Sequence, residues 1–257
     1  MEIKSLEILI STLNDGVFNI KLNKEYDVLI VHQITNGKMT DYESYYNQNI
    51  ASERVRYIQS NTIGLSKSRN IALKNSCGKY LWIMDDDVEV LDNLEDRIVE
   101  CFESNHCDIV ILNHFFSNQE IIDTREKQFH HNKISAAGIC SIDICMRREV
   151  NKSIFFDENF GLGTSLPSGE EYIFITDALD NGYKVYQSNI LSSTHPEISS
   201  GLDFFSTSNK VRAKKAMFKR VFKRIGSVMM FCFFIKKIPL LIKKRKVLFF
   251  AYNAFIK

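Results

Sequence analysis

Only three prolines occur in 257 residues, and no stretch is dominated by one or two residue types, so nothing marks a Pro-rich or low-complexity linker dividing the chain. No internal repeat is evident. The six cysteines, at 77, 101, 107, 140, 145 and 232, include no Cys-x-x-Cys pair and no spacing of a usual zinc site. They read as reduced thiols of a cytoplasmic protein. The amino terminus lacks the basic, apolar and small-residue succession of a secretory signal. No apolar run reaches the roughly twenty residues that span a bilayer. A glycine-rich phosphate loop after the first strand is also missing. Finally, residues 204–257 hold no Asp or Glu at all.

That last absence exposes a strong charge asymmetry beneath a net charge of only +2. Fifteen of the 33 basic residues fall in 204–257, leaving eighteen against all 31 acids in 1–203, so the body is formally −13 and the tail +15. In the tail, Val211, Met217, Phe218, Val221, Phe222 and Ile225 recur at helical spacing among Lys and Arg, and two further apolar stretches follow, separated by basic runs. Basic amphipathic helices with large apolar residues lie in the membrane interface and are drawn to anionic lipid. The tail is therefore expected to be a monotopic contact with the inner face of the membrane. Docking on the acidic body is the alternative, and nucleic acid fits the interleaved Phe and Ile runs less well than lipid does.

The body carries two constellations that point to chemistry. Gly78-Lys-Tyr-Leu-Trp-Ile-Met-Asp85-Asp86-Asp87 is an apolar strand ending in three consecutive carboxylates. Adjacent acids repel unless a cation or hydrogen-bond donors balance them. Hard divalent ions take such oxygens, and magnesium is typically held by one or two carboxylates plus substrate phosphates. Upstream, Val55 to Gly78 reads as strand, loop, helix and stop, with Ser66 as N-cap and Gly78 as terminator. Together they form a βαβ unit with its acids at the carboxyl edge of the sheet, where open α/β sheets bind ligands. The second constellation is the glycine-rich run Gly161-Leu-Gly163-Thr-Ser-Leu-Pro-Ser-Gly169, leading into Glu170-Glu171 at the start of an amphipathic helix, with Gly182 and a strand after it. Acids in a first helical turn are also favoured by the helix dipole alone.

The sequence Gly64-x-x-x-x-Arg69-Asn70 before Asp85-x-Asp87, with a glycine-rich loop and an acid pair some eighty residues later, resembles family 2 glycosyltransferases of the GT-A fold. The resemblance covers roughly residues 6–200. It implies an α/β fold: a Rossmann-like, mixed but mostly parallel sheet flanked by helices, as a catalytic domain over 1–203, with the basic amphipathic helical extension over 204–257. It implies an inverting, metal-dependent enzyme that moves a sugar from a nucleotide diphosphate sugar, with a UDP-sugar as the expected donor, to a glycan or lipid-linked acceptor of the bacterial cell envelope.

Residue by residue, Asp87 would bind Mn2+ or Mg2+, with Asp85 approaching the metal and the donor's ribose or sugar and Asp86 in the variable middle. His195, after the strand that follows the acid pair, would complete the metal shell. Ser11, Thr12 and Asn14 would meet the base, as would Gln33, which stands where commoner relatives end the second strand in an Asp pair. Arg69 and Asn70 would lie near the nucleotide. The pair in relatives is usually Glu-Asp, and its second residue is the general base. Glu171 holds that place here, one methylene longer, with Glu170 as the second candidate. A catalytically degenerate partner of another transferase and a nucleotidyltransferase are the alternative readings.

Overall fold

The computed structural model describes residues 5–116, 127–196 and 203–256. Strands β1 (Leu6–Leu13), β2 (Asp27–Gln33), β3 (Val55–Ser60) and β4 (Tyr80–Asp85) pair in parallel in the order β3-β2-β1-β4. The largely apolar, buried runs of β1, β2 and β4 suit strands covered on both faces, whereas the edge strand β3 is half-buried. Beyond β4 the sheet turns mixed: β8 (Ile144–Arg147) runs antiparallel to both β4 and β6 (Ile109–Phe116), and β9 (Val185–His195) runs parallel to β6. The short β5 (Glu89–Val90) and β7 (Phe129–His130) close the far edge against β9. This is the expected α/β architecture, a mostly parallel sheet with helices on both faces.

One face carries α1 (Met39–Asn49) and α3 (Glu95–Ser104) over a core that includes Trp82, Ile98 and Phe102. The other carries α2 (Leu65–Asn75) and α4 (Glu170–Asp180) over Leu9, Leu29, Ile83 and Phe174. The second core continues without a break into the tail helices α5 (Ser208–Phe222), α6 (Gly226–Lys243) and α7 (Val247–Ala251), through Val211, Met217, Val221, Met230, Leu241 and Phe250. Helix α5 is thus docked on the body by ordinary packing. Its Arg220 clasps Asp177 of α4 through two bonds of 3.1 and 2.7 Å and lies 3.4 Å from Asp157.

Two details differ from the sequence reading. Ser66 does not cap α2; Gly64 holds the N-cap position, and the Ser66 hydroxyl donates to the Phe160 carbonyl at 2.6 Å. Nor does Gly78 terminate α2, which ends at Asn75. The Gly78 N–H donates instead to Glu7, a carboxylate buried in β1 that also accepts from the Cys77 N–H and pairs with Arg56. A charge inside a strand is tolerable here because each of its oxygens has a partner.

The length of the tail helices also differs from expectation. The helical stretch Ser208–Lys243 contains a window long and apolar enough, by length and composition, to cross a membrane, and only 17% of that window is buried.

Candidate active site

The carboxyl ends of β1, β2 and β4 open onto a cavity of about 420 Å³. Ten of the twelve residues singled out from sequence line it: Ser11, Thr12, Gln33, Arg69, Asp85, Asp86, Asp87, Glu170, Glu171 and His195. The parallel register explains the grouping. Ser11 pairs with Asp85 and Leu13 with Gln33, so three strand ends deliver their polar residues to one edge.

Asn14 and Asn70 do not line the cavity and brace its walls. Asn14 adopts φ 48°, its side chain holds Thr35, and its carbonyl accepts from His32 Nε2 at 2.8 Å. Because a carbonyl only accepts, His32 carries its proton on Nε2 and takes the Tyr57 hydroxyl at Nδ1, 2.7 Å away. Burial lowers its pKa and keeps it neutral. Asn70 clamps the backbone of Phe156 from both sides, donating to its carbonyl at 2.9 Å and accepting from its N–H at 2.8 Å, and also donates to Glu158.

The two sequence constellations meet on α2. Together with the Asn70 clamp and the Ser66 bond, Leu65 N–H to the Leu162 carbonyl stitches the helix to the glycine-rich loop. Arg69 then joins the two acidic groups. Only 1% exposed, it donates to Asp85 at 2.8 Å and Ser141 at 2.9 Å through one nitrogen and reaches Glu170 at 3.3 Å through another, with its guanidinium over the Phe156 ring. One buried cation between two carboxylates neutralises one of them. Asp85 is the closer and wetter partner; Glu170 is buried, and desolvation together with the neighbouring Glu171 pushes its pKa up to about 8. Burial thus biases Glu170 toward its neutral form, which lowers the negative charge of the Arg69–Asp85–Glu170 cluster. Glu171, the next residue of the same helical turn, faces the cavity.

Asp86 is the most confined of the three strand-end acids. It accepts from the Thr12 hydroxyl at 2.5 Å. Burial raises its pKa, the Thr12 bond opposes that rise, and repulsion from Asp85 and Asp87 adds to it. Gly16 makes room for it: a Cβ there would sit 2.1 Å from Asp86 Oδ2 and 2.7 Å from Thr12 Oγ1. Asp87 is the exposed member, and His195 Nε2 lies 3.7 Å from its Oδ1. His195 Nδ1 donates to the Pro196 carbonyl at 2.6 Å, which orients the ring with Nε2 toward Asp87.

Whether these groups fit a divalent ion can be tested on their chemistry. Among the described residues no cluster of three or more His, Cys, Asp or Glu forms a ready-made metal cage. Asp87 Oδ1 and His195 Nε2 nonetheless lie 3.7 Å apart, an oxygen and an imidazole nitrogen close enough to share one ion. The cavity also needs positive charge. It is lined by five acids against the single guanidinium of Arg69, and that guanidinium is already committed. The residues fit a cation whose remaining ligands come from a substrate.

Several contributors gave no sequence signal. Ser141 accepts from Arg69, and Ser168 lines the cavity with a buried hydroxyl that, like that of the expected Ser11, has no partner among the described residues. Ile63 and Leu162 form an exposed apolar lip. Cys140 also lines the cavity, but burial pushes its thiol up to about 12, so it is no nucleophile. Gly169 could have been read: it caps α4 at φ 102°, and a Cβ there would meet Met217 Sδ of α5 at 2.8 Å.

Comparison with known proteins places this geometry. Residues 9–168 match the model of glycosyl transferase family 2, a span that includes the strand-end acids and stops just short of Glu170. Over 184 residues the chain is 26% identical to the minor teichoic acid biosynthesis protein GgaB of Bacillus subtilis (strain 168), covering 63% of this chain and 19% of that protein. The chain thus spans about a fifth of the length of this curated relative. Among solved structures, S. aureus TarS 1-349 superposes with a TM-score of 0.62 at 12% identity, over 97% of this chain and 90% of that one. Its complex with UDP-GlcNAc gives 0.58 at 14% identity, over 85% and 67%. GalNAc-T7 with UDP, GalNAc and Mn2+ gives 0.57 at 14% identity, over 82% and 48%. Strand-end acids and a glycine-rich loop stitched to the Arg-Asn helix agree with the matching family model and with these superpositions: the chain belongs to glycosyl transferase family 2 and has the GT-A fold.

Proposed function

We propose that the protein transfers a sugar from a UDP-sugar, with inversion, to a hydroxyl of a cell-envelope glycan or lipid-linked acceptor, working at the inner face of the membrane. The observation that carries this reading is the convergence of Asp87, Glu171 and the β1–β2 edge on one cavity. The names of the relatives support the polymer class, and the TarS complexes support the donor class.

The base of the nucleotide is received at Ser11, Thr12 and Gln33. The Gln33 amide nitrogen is spent on Thr62 and Gly64, so Oε1 is the atom that can accept from the uracil N3–H. The orphaned Ser11 hydroxyl is a further donor at the same place. Asp85, fixed by Arg69, faces the ribose or sugar.

Asp87 and His195 would hold Mn2+ or Mg2+, whose chemistry is to neutralise the leaving diphosphate without proton transfer. The Glu171 carboxylate accepts the proton of the acceptor hydroxyl while its oxygen bonds to the anomeric carbon and the carbon–oxygen bond to the diphosphate breaks. Base catalysis of this kind typically contributes about 10² to 10⁴ in rate. Glu170, buried and neutral, is a poor base and instead fixes the first turn of α4. Residues 1–203 carry this machinery, and 204–257 add the basic extension.

The test is sugar transfer by Glu171→Gln and Glu170→Gln with donor binding as control. Loss of turnover only in Glu171→Gln, with donor binding retained, supports the reading. Near-normal turnover in that variant removes Glu171 from the base role, and a wild type that binds donor but never transfers or releases sugar favours a degenerate partner protein.

A further inference from the structure

The tail is not uniform: α5 is committed to the body, whereas α6 and α7 keep one apolar face uncovered. Of sixteen large apolar residues exposed in the described chain, nine lie between Ile225 and Ile256. Val228, Phe231, Ile235 and Ile242 are each about half exposed or more and fall within one stripe of α6 at helical spacing. Leu248 and Ile256, at 86% and 76%, extend the patch beyond it. A patch of this kind on a soluble body marks an interaction surface.

Charge and packing identify what covers it. Lys223 and Arg224 stand at one end of α6 and Lys243, Lys244 and Arg245 at the other, all exposed, with no acid anywhere in 204–257. A second copy meeting the patch symmetrically would bring the same basic clusters face to face. A spanning arrangement conflicts with α6 itself, because its opposite face packs on the protein core through Met230 and Leu241, and because Lys236, Lys237 and Pro239 interrupt it. At 18 residues it measures about 27 Å. A helix with one face in protein and the other apolar between basic ends matches the acyl–headgroup boundary of an anionic bilayer.

Resting on the membrane reading above, we infer that the outer face of α6 and α7 is the lipid-binding surface, and that α5 is a rigid bracket between this surface and the acid-bearing helix α4. Met217 against Gly169 and Arg220 on Asp177 are the points where the bracket grips, one at the residue preceding Glu170. The acceptor side of the cavity therefore keeps a fixed position relative to the bilayer.

The experiment is co-sedimentation of the full chain with phosphatidylglycerol-containing vesicles and with pure phosphatidylcholine vesicles, at low and physiological salt. Two variants accompany it: Phe231→Asp with Ile235→Asp, and Lys243→Gln with Lys244→Gln and Arg245→Gln. The second changes only exposed charges, so it still decides the matter if the first folds poorly; circular dichroism and the thermal shift with UDP establish folding. At least ten-fold tighter binding of wild type to anionic vesicles, weakened by salt and lost by ten-fold or more in both variants, supports the inference. Wild-type binding that neither variant alters overturns the assignment of this face while the membrane reading stands. A wild type that ignores anionic vesicles overturns both, and a dimer that Phe231→Asp with Ile235→Asp makes monomeric overturns the assignment of this face to lipid.

Discussion

Replacing Glu170 by Gln should stabilise the protein at alkaline pH, and the gain should shrink as pH falls. Burial of the Glu170 carboxyl raises its pKa from 4.5 to about 8, with Glu171 adding to the rise and Arg69, already paired with Asp85, opposing it. An acid whose folded pKa lies above its unfolded value favours folding most below the unfolded value. That advantage is lost between roughly pH 4.5 and 8, because the unfolded chain releases a proton that the folded chain keeps. One pK unit corresponds to about 1.4 kcal/mol, so the whole window is worth on the order of 5 kcal/mol. Glutamine is close in shape, can still accept from Arg69 and has no proton to lose. Urea denaturation of wild type and Glu170→Gln at half-unit steps from pH 4 to 9 reads the effect as a difference, in which the other titrating groups largely cancel. The difference should climb by about 1.4 kcal/mol per pH unit across the window and level off above it. A difference that stays flat with pH would refute the neutral state of Glu170 and, with it, the division of labour between the two glutamates.

Other expectations follow from the same contacts. Arg69→Ala leaves Asp85 and Glu170 without their shared cation, and breaking a buried pair in this way costs about 3–5 kcal/mol, read as a fall in the denaturation midpoint. Gly16→Ala places a methyl group against the Asp86 carboxylate, so UDP affinity should drop several-fold in calorimetry while the overall fold by circular dichroism persists. Truncation after residue 203 should yield unfolded or aggregated protein, because Val211, Met217 and Val221 complete the core over α4. A soluble, cooperatively melting 1–203 fragment would contradict that.

The βαβ unit and the sheet edge were legible in the sequence because strand ends and turn residues carry local signals, whereas the grouping of the ten named residues was implied by the family resemblance. The apolar run of β4 places Asp85, Asp86 and Asp87 at one edge whatever the rest of the chain does. The roles of Arg69, Ser66 and Asn70 were not legible in the same way. Helical spacing left Arg69 and Asn70 compatible with a solvated surface, and only the return of residues 156–170 across α2 buries them and supplies their partners. Asn14 follows a strand that does deliver Ser11 and Thr12, but its left-handed backbone turns it toward Thr35. The tail shows the same limit. Its amphipathic pattern is common to helices that dock on protein and helices that lie on lipid, so the split between a docked α5 and a half-uncovered α6 emerges only from packing.

The central claim is a UDP-sugar site completed by a cation at Asp87, and calorimetry of UDP binding tests it most directly, with and without Mn2+, on wild type and Asp87→Ala. Ligand in about hundred-fold excess over Kd adds roughly 2.7 kcal/mol to stability, so thermal shift offers a parallel readout. Binding that requires both Mn2+ and Asp87, and that GDP, CDP and ADP do not reproduce, is the predicted result. UDP binding that is indifferent to Mn2+ and unchanged in Asp87→Ala would contradict it.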